Sequence, residues 1–330
     1  MAVEIPRARI SRRLELAGGA LLLLLAVLLG LAIGGVPLSL SALSHGEGEA
    51  GETARLVASL RAPRVLLAAL VGAALALAGA AMQALLKNPL ADPFLLGTSG
   101  GAAAGAALAA LVGVSPLVSP AAAFAGALAS SIGVSVLARR GGRLDLHRLL
   151  LAGLIANAFF SALLLGVFSV ASGAAARAML FWMMGSLAGA SFGKAAALFP
   201  YLLLGAAPLL LAAARLNLFA VGEENAAALG VDTEKWKRIV FLSASLLTGA
   251  AVAFAGIIGF VGLLVPHAVR AVTGNDQRRL LPLAALSGAA LLVTADAVSR
   301  AAFAPAELPI GAVTAALGAP LFAWLLFREP

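Results

Sequence analysis

Residues 61–101, RAPRVLLAALVGAALALAGAAMQALLKNPLADPFLLGTSGG, decide how the chain can fold. The apolar run 65–86 is interrupted by one strongly polar residue, Gln83, and it can cross the roughly 30 Å core of a bilayer as a helix. Lys87-Asn88-Pro89 ends this run. Asp92-Pro93 is a typical start for the next helix, because Asp caps free N–H groups and Pro suits a first turn. The stretch therefore predicts one membrane-spanning helix and a tight return into a second.

The composition of the whole chain indicates a membrane protein. Of its 330 residues, 62% are hydrophobic and only 12% are charged, whereas soluble domains carry about 25% charged residues. The net charge of +8 lies in short basic clusters between apolar runs, which is a pattern of membrane topology rather than of nucleic-acid binding. Cysteine is absent, which excludes disulfides and thiolate metal sites. The predicted fold class is all-α, a single polytopic transmembrane domain over residues 1–330.

Apolar runs of helical length predict about ten membrane spans. The run 239–269 is too short for two full spans and is flanked by basic clusters, so it predicts a long helix to about Gly256 and a shorter one containing Pro266. Residues 174–184 predict a helix in the membrane interface, with Trp182 at headgroup level. The first apolar run, about 15–36, is similar to a secretory signal peptide, but it is longer than a usual signal core and so predicts an uncleaved span. The other eight spans are predicted at about 15–36, 64–86, 94–113, 117–138, 149–171, 195–214, 280–299 and 308–327.

The basic residues also predict the orientation of the chain. With the N-terminus inside, 17 of the 23 Lys and Arg residues fall on the cytoplasmic side and 6 fall outside. Both termini are therefore predicted to be cytoplasmic by the positive-inside rule. A weak repeat, Gly72-AALALA-Gly79 and Gly249-AAVAFA-Gly256, has an offset of 177. Its copies would run in opposite directions and so indicate an inverted repeat. Chance similarity between two Ala/Gly-rich helices is the alternative.

Several motifs resemble one family of transport proteins. In residues 61–101 these are Arg-x-Pro-Arg, Gln83, Asn-Pro-Leu-Ala-Asp-Pro and Leu-Gly-x-x-x-Gly, and they are followed by RLLLAG (148–153), WMMGSL (182–187), 256–300 and ELPIGAVTAALGAP (307–320). In order and spacing they resemble the permease subunit of ABC importers for iron-siderophores, haem and vitamin B12, the type II importers. The resemblance implies a homodimeric permease in the bacterial inner membrane. Its implied partners are a periplasmic substrate-binding protein and two copies of a cytoplasmic ATP-binding subunit.

Three arginines, Arg61, Arg64 and Arg300, fall at the predicted outer ends of spans. They could simply extend to the lipid headgroups. The resemblance implies instead that they dock the binding protein by pairing with its acidic residues, for which the planar guanidinium group is well suited. For this role we expect all three side chains to be exposed.

Residues 221–231 form a short helix candidate within a polar cytoplasmic segment, 217–236. Glu223 and Glu224 stand in its first turn, where they favour the helix dipole. Gly230 would stop it, and Asp232 would cap the next helix. The alternative is a helix that rests only on its own bundle. The resemblance implies a coupling helix that inserts into the ATPase, with contacts by Glu223, Glu224, Ala228, Leu229 and Gly230.

The resemblance also places a cytoplasmic gate at Asn88 and Leu90, and at Leu146 and His147 before the fifth span. The second pair departs from the small hydroxyl residues expected in the vitamin B12 member. His267 is predicted to be structural rather than a metal ligand.

The charged residues within the predicted spans indicate which source of energy drives transport. Asp296 is the only acidic residue predicted well inside a span, and Arg300 four residues later predicts an ordinary ion pair. Carriers driven by ion gradients usually need buried carboxylates, so a secondary transporter is the less favoured class. The sequence also contains no GxxxxGK[ST] phosphate loop, so ATP hydrolysis would belong to a separate subunit.

The chain is therefore predicted to be a transport subunit and not an enzyme, with no cofactor, no metal and no nucleic-acid partner. Besides its protein partners it would contact membrane lipid. The predicted substrate is an iron(III)-siderophore, with haem or vitamin B12 import by the same mechanism as alternatives.

Overall fold

The computed structural model describes residues 11–34, 49–114, 118–304 and 306–328. Over these residues the architecture is all-α apart from one short hairpin, as predicted. The helices are α1 (Arg12–Ala32), α2 (Glu49–Leu86), α3 (Thr98–Leu111), α4 (Ser119–Leu137), α5 (Leu146–Val170), α6 (Gly173–Met183), α7 (Phe192–Val221), α8 (Glu223–Ala228), α9 (Thr233–Ala255), α10 (Val261–Thr273), α11 (Gln277–Ala301) and α12 (Ile310–Arg328). A 3-10 helix, Pro93–Leu96, precedes α3, and strands β1 (Arg139–Arg140) and β2 (Arg143–Leu144) form the hairpin.

Helix α2 is the centre of the bundle. Its apolar part is 78% buried, whereas the corresponding part of α1 is 17% buried. Small residues allow its neighbours to approach closely, because Gly72 packs against the backbone of Gly288 in α11 and Gly79 against that of Gly262 in α10. Helices α1, α7 and α9 cover the remaining sides of α2.

Pairs of contacting residues give the directions of the central helices. Arg64, before the middle of α2, meets Asp296 near the end of α11. Gly72, later in α2, meets Gly288, earlier in α11, so these helices are antiparallel. At the other end of α2, Leu86 lines the same cavity as Lys237 near the start of α9. Helices α2 and α9 therefore also run in opposite directions, as expected for inverted copies.

The predicted spans correspond to the observed apolar helices. Among the described residues, seven helices are long and apolar enough to cross a membrane, and three more, 98–111, 261–273 and 310–323, are apolar but shorter. The division of 239–269 is confirmed, since α9 ends at Ala255 with Gly256 as its cap and the short α10 contains Pro266. A helix over 173–183 also agrees with the prediction for 174–184. The chain is thus a multi-pass membrane protein.

Three predicted boundaries are wrong. Helix α2 begins at Glu49 rather than near 64 and includes Pro63, because the helix continues over the mixed polar and apolar residues 49–60 beyond its bilayer-length apolar part. The third span is broken at Gly97, whose left-handed φ of 79° separates the 3-10 helix from α3. Helix α7 continues to Val221, so segment 217–236 contains the end of α7, all of α8 and the start of α9.

Candidate functional site

The predicted docking arginines lie around the C-terminal end of α1. The last carbonyl groups of a helix have no partner within it, and two of these arginines supply the missing donors. Arg61 donates through Nη1 to the carbonyl groups of Leu31 (2.9 Å) and Ala32 (3.0 Å). Arg300 donates through Nη1 to Ile33 and through Nη2 to Gly30, both at 2.8 Å. The two side chains thereby attach α1 to α2 and α11.

A buried carboxylate links the second and third arginines. Asp296 is fully buried and accepts from Nε of Arg64 at 2.8 Å and from Nε of Arg300 at 2.9 Å. The predicted pair between Asp296 and Arg300 is therefore confirmed. Arg64 continues outward, and its Nη1 contacts a carboxylate oxygen of Glu307 at 2.8 Å. Glu307 was missed in the sequence, because it is far from Arg64 along the chain and nothing local indicates the pairing.

The expectation that all three arginines are exposed is wrong. Arg61 and Arg300 are each only 6% exposed. Both bind carbonyl groups of α1, and Arg300 also pairs with the carboxylate of Asp296. The Arg64 side chain is 12% exposed, whereas that of Glu307 is 44% exposed. The Arg64–Glu307 pair is thus the part of this cluster that reaches the surface.

Helix α8 is shorter than the predicted 221–231 helix, but Glu223 and Glu224 stand in its first turn and Gly230 follows its end, as predicted. Gly222 with φ 130° precedes it, and Gly230 with φ 81° reverses the chain after it. Asp232 caps α9 by accepting from Lys235 N at 3.0 Å, as predicted. Ala226 anchors α8 and is fully buried. Glu223, Glu224, Ala228, Leu229 and Gly230 are all exposed.

One lysine connects α8 to the β-hairpin. Lys237 is 4% exposed and contacts Glu223 at 2.8 Å and Glu234 at 3.2 Å. Its Nζ also donates to the carbonyl of Leu144 in β2 at 2.8 Å. Glu234 in turn accepts from the backbone N–H of Leu144. The predicted coupling segment therefore has a fixed position relative to the loop that precedes α5.

The first predicted gate pair lies in a tight turn after α2. Lys87 adopts a left-handed φ of 50°. Asn88 Oδ1 then accepts from the backbone N–H of Leu90 at 2.9 Å. Asp92 caps the following 3-10 helix through the N–H of Phe94, as predicted. The packing around Asp92 raises the pKa of its carboxyl group to about 6, despite the hydrogen bond from Phe94.

The second predicted gate pair begins α5. Asp145 caps this helix by accepting from the N–H groups of His147 and Arg148. The hydrogen bond from Arg148 is the main reason that the pKa of Asp145 lies below its usual value. Leu146 and His147 line a cavity of about 480 Å³.

The structure does not bring the two gate pairs together within this chain. Asn88 lines a different cavity, of about 530 Å³, and Leu90 is 43% exposed and lines neither. Lys87 borders both cavities.

Asp92→Asn should stabilise the protein above pH 6. Asn caps a helix about as well as Asp, but it carries no charge that burial penalises. The folded-state pKa of about 6 lies above the ordinary 3.8, so the folded state binds a proton more readily, and wild-type stability falls as pH rises between these values. We expect a gain of about 1–2 kcal/mol at pH 8, vanishing below about pH 4. Thermal unfolding in detergent across this range measures it, and a pH-independent difference would contradict it.

Gln83 has a structural role that the sequence did not reveal. Pro266 in α10 has no N–H group, so it leaves the carbonyl of Gly262, four residues earlier, without its usual helical partner. The buried Gln83 donates through Nε2 to Gly262 O at 3.4 Å and to Leu263 O at 3.2 Å. Its Oε1 accepts from Arg270 at 3.0 Å. The sequence contains two signals of this contact: Gln83 is a lone polar residue in one span, and Pro266 lies inside another.

Gln83→Leu should cost about 1–3 kcal/mol, because it leaves the buried carbonyl group of Gly262 without a donor. The cost should be smaller when Pro266→Ala is also present, since Ala restores an N–H group for Gly262 O. A double-mutant cycle on thermal stability should therefore give a coupling of at least about 0.5 kcal/mol. Additive effects would show that Gln83 does not replace the missing helical bond.

The chain is similar to known transport proteins over most of its length. The model of the FecCD transport family matches residues 22–328. The hemin transport system permease protein HmuU of Yersinia pestis is 42% identical over 82% of this chain and 83% of its own length. The vitamin B12 import system permease protein BtuC of Escherichia coli O157:H7 is 41% identical over 94% of this chain and 93% of its own.

A solved structure of a transporter is also similar to this chain. It is an ABC transporter classed as metal-chelate type, in an inward-facing conformation, with a TM-score of 0.85 and 33% identity over 96% of this chain and 100% of that one. The match over nearly the whole chain, together with these identities, shows that this protein belongs to the FecCD transport family.

Proposed function

We propose that this chain is the permease subunit of an ATP-driven importer in the bacterial inner membrane, and that its substrate is a metal chelate. The observation that carries the proposal is the match over residues 22–328, together with identities of 41–42% to permeases named for vitamin B12 and hemin. Both termini would be cytoplasmic. Two copies of the chain would enclose the pathway, with Asn88, Leu90, Leu146 and His147 at its cytoplasmic gate.

The structure favours an external energy source over an ion gradient. Asp296 is buried inside α11, but two arginines already pair with it. A carboxylate held in this way is poorly suited to bind and release protons or sodium ions. The exposed residues of α8, with Glu224 and Leu229 on its outer side, offer a contact for a cytoplasmic ATPase, one subunit for each copy of this chain.

The outer arginine cluster would dock the substrate-binding protein through its exposed part. An acidic residue of the binding protein can approach Arg64 by taking the place of Glu307, whose side chain is 44% exposed. Arg61 and Arg300 would contribute indirectly. Their hydrogen bonds to α1 would fix the position of the surface that the binding protein contacts.

We propose an iron(III)-siderophore as the substrate. Leu146 and His147 stand where small hydroxyl residues are expected in the vitamin B12 member, which disfavours a corrinoid. Haem import by the same mechanism is the second candidate, supported by the 42% identity to HmuU.

The assignment to an ATPase-coupled transporter can be tested at α8. Leu229 is 68% exposed, so Leu229→Asp should leave folding intact and weaken copurification of the ATPase by about 30-fold or more, as for a central interface residue. Phe303→Asp, at another residue that is 64% exposed, is the matched control. Unchanged ATPase binding by the Leu229 variant would exclude this contact, and a wild-type permease that binds no ATPase would favour a secondary transporter.

The substrate can be identified from the ligand of the periplasmic binding protein that copurifies with the permease. An absorption band that disappears with a strong iron chelator would support siderophore import. A porphyrin or corrin spectrum would instead identify haem or a cobalamin and contradict the siderophore proposal.

A further inference from the structure

The β-hairpin between α4 and α5 holds two arginines side by side. Arg140 and Arg143 are directly opposite each other in the hairpin, across a two-residue turn of Gly141 and Gly142. Both glycines have positive φ angles, 57° and 77°, as the common hairpin turn requires. Like charges that face each other across strands are destabilising, so this arrangement favours a negatively charged ligand.

The hairpin is fixed to α9 rather than free to separate these charges. Arg238 donates to the carbonyl of Gly142 at 2.8 Å, and Glu234 accepts from the N–H of Leu144 at 3.0 Å. The two contacts hold the turn and strand β2 against the start of α9, and Arg140 and Arg143 lie directly opposite each other beside this turn.

A third cation, Lys87, borders the same cavity of about 480 Å³ as Arg140 and Arg143. Across the ranges that the structure describes, none of these three side chains forms a hydrogen bond or an ion pair. The two acidic residues of the cavity are already engaged. The carboxylate of Asp145 caps α5, and Glu223 pairs with Lys237.

The other wall of the cavity is apolar. It consists of Leu86 at the end of α2, Leu146 and Leu150 in α5, and Phe219 in α7. These residues lie at the ends of membrane-spanning helices, on the side that the charge distribution predicts to be cytoplasmic. The cavity thus combines three unpaired cations with an apolar wall at the level of the membrane surface.

We propose that this cavity binds an anionic phospholipid of the cytoplasmic leaflet, with the headgroup phosphate between Arg140, Arg143 and Lys87. Phosphate oxygens can accept from several arginine donors at once, and the apolar wall suits the glycerol and the first part of an acyl chain. Basic pockets between membrane helices bind such headgroups in general. An acidic protein side chain would satisfy the cations but would leave the apolar wall uncovered.

A bound lipid would connect the ends of α2, α5 and α7 and would contact the predicted gate residues Leu146 and His147, which line the same cavity. The proposal goes beyond the importer function and does not depend on it. It concerns only how this chain interacts with the membrane around it.

Native mass spectrometry of the full-length permease, released from nanodiscs with phosphatidylglycerol or phosphatidylcholine, tests the proposal. The double variant R140Q/R143Q should retain phosphatidylglycerol about 30-fold less, because each basic residue near an anionic surface contributes about 1 kcal/mol and 1.4 kcal/mol corresponds to tenfold. The matched control is R139Q/R148Q. It removes the same charge from exposed residues next to the cavity, and it should behave as the wild type.

Equal losses in both double variants would mean general surface attraction and would overturn the proposal. Unchanged lipid retention in R140Q/R143Q, with loss of ATPase binding instead, would assign the cavity to a protein partner. A second variant, Leu150→Asn, changes only the apolar wall and should weaken phosphatidylglycerol retention. Unchanged retention in this variant would exclude a bound acyl region.

Discussion

Asp296→Ala should severely destabilise the protein in the membrane. The substitution leaves Arg64 and Arg300 without the carboxylate that both of them contact at 2.8–2.9 Å. Removing one partner of a buried ion pair typically costs about 3–5 kcal/mol, a large share of the 5–15 kcal/mol that stabilises an ordinary domain. The end of α1 would also be affected, since Arg300 binds its carbonyl groups. We expect little folded protein in size-exclusion chromatography of detergent extracts.

Two further variants separate charge from general disruption at this position. Asp296→Asn keeps the shape of the side chain and should still cause most of the loss, because it removes the charge. Glu307→Gln changes a side chain that is 44% exposed and should cost at most about 1 kcal/mol, as is typical of surface pairs. A stable Asp296→Ala protein would mean that the arginines find other partners and that the buried carboxylate does not hold α2 and α11 together.

Gly79→Ala should also destabilise the protein strongly. A Cβ atom at this position would lie 1.9 Å from the carbonyl oxygen of Gly262, and the obstacle is backbone rather than a flexible side chain. Helices α2 and α10 would have to separate, which also breaks the contacts of Gln83 with α10. We expect a loss of about 3 kcal/mol, the upper part of the range for overpacking, and a marked fall in thermal stability.

A glycine in an open position provides the control. Gly133 lies in α4, and nothing stands within 4 Å of the place where its Cβ would be. Gly133→Ala should therefore gain about 1 kcal/mol, the difference in helix propensity. If both variants had the same effect, close packing at Gly79 would not be the reason for its glycine.

Apolar periodicity was sufficient to predict most of the bundle. It located the apolar helices and divided 239–269 correctly, because a span has a fixed length and Gly256 and Pro266 mark the break. The caps at Asp92 and Asp232 were also predicted, since capping depends on residues two or three positions away. Helix α2 began earlier than predicted because hydropathy measures the apolar length and not the helix itself.

The environment of the docking arginines could not be predicted in this way. Their burial depends on where the end of α1 lies, and no local pattern relates residues 30–33 to Arg61 or Arg300. The pairing of Arg64 with Glu307 likewise depends on a contact between distant parts of the chain. The same holds for Gln83, whose partner is a carbonyl group that a proline in another helix leaves free.

The backbone contacts of α2 restrict how the molecule can change shape. Gly79 against Gly262 and Gly72 against Gly288 leave no space for sliding, so α2, α10 and α11 should move as one rigid body. Helices α3 and α4 are packed equally closely at Gly101 and Gly126 and form a second body, joined to the first through the turn at Gly97. Opening and closing would then be a rocking motion between the two bodies. Because the chain has no cysteine, pairs of spin labels can be introduced directly, and distances should change between the bodies but not within them.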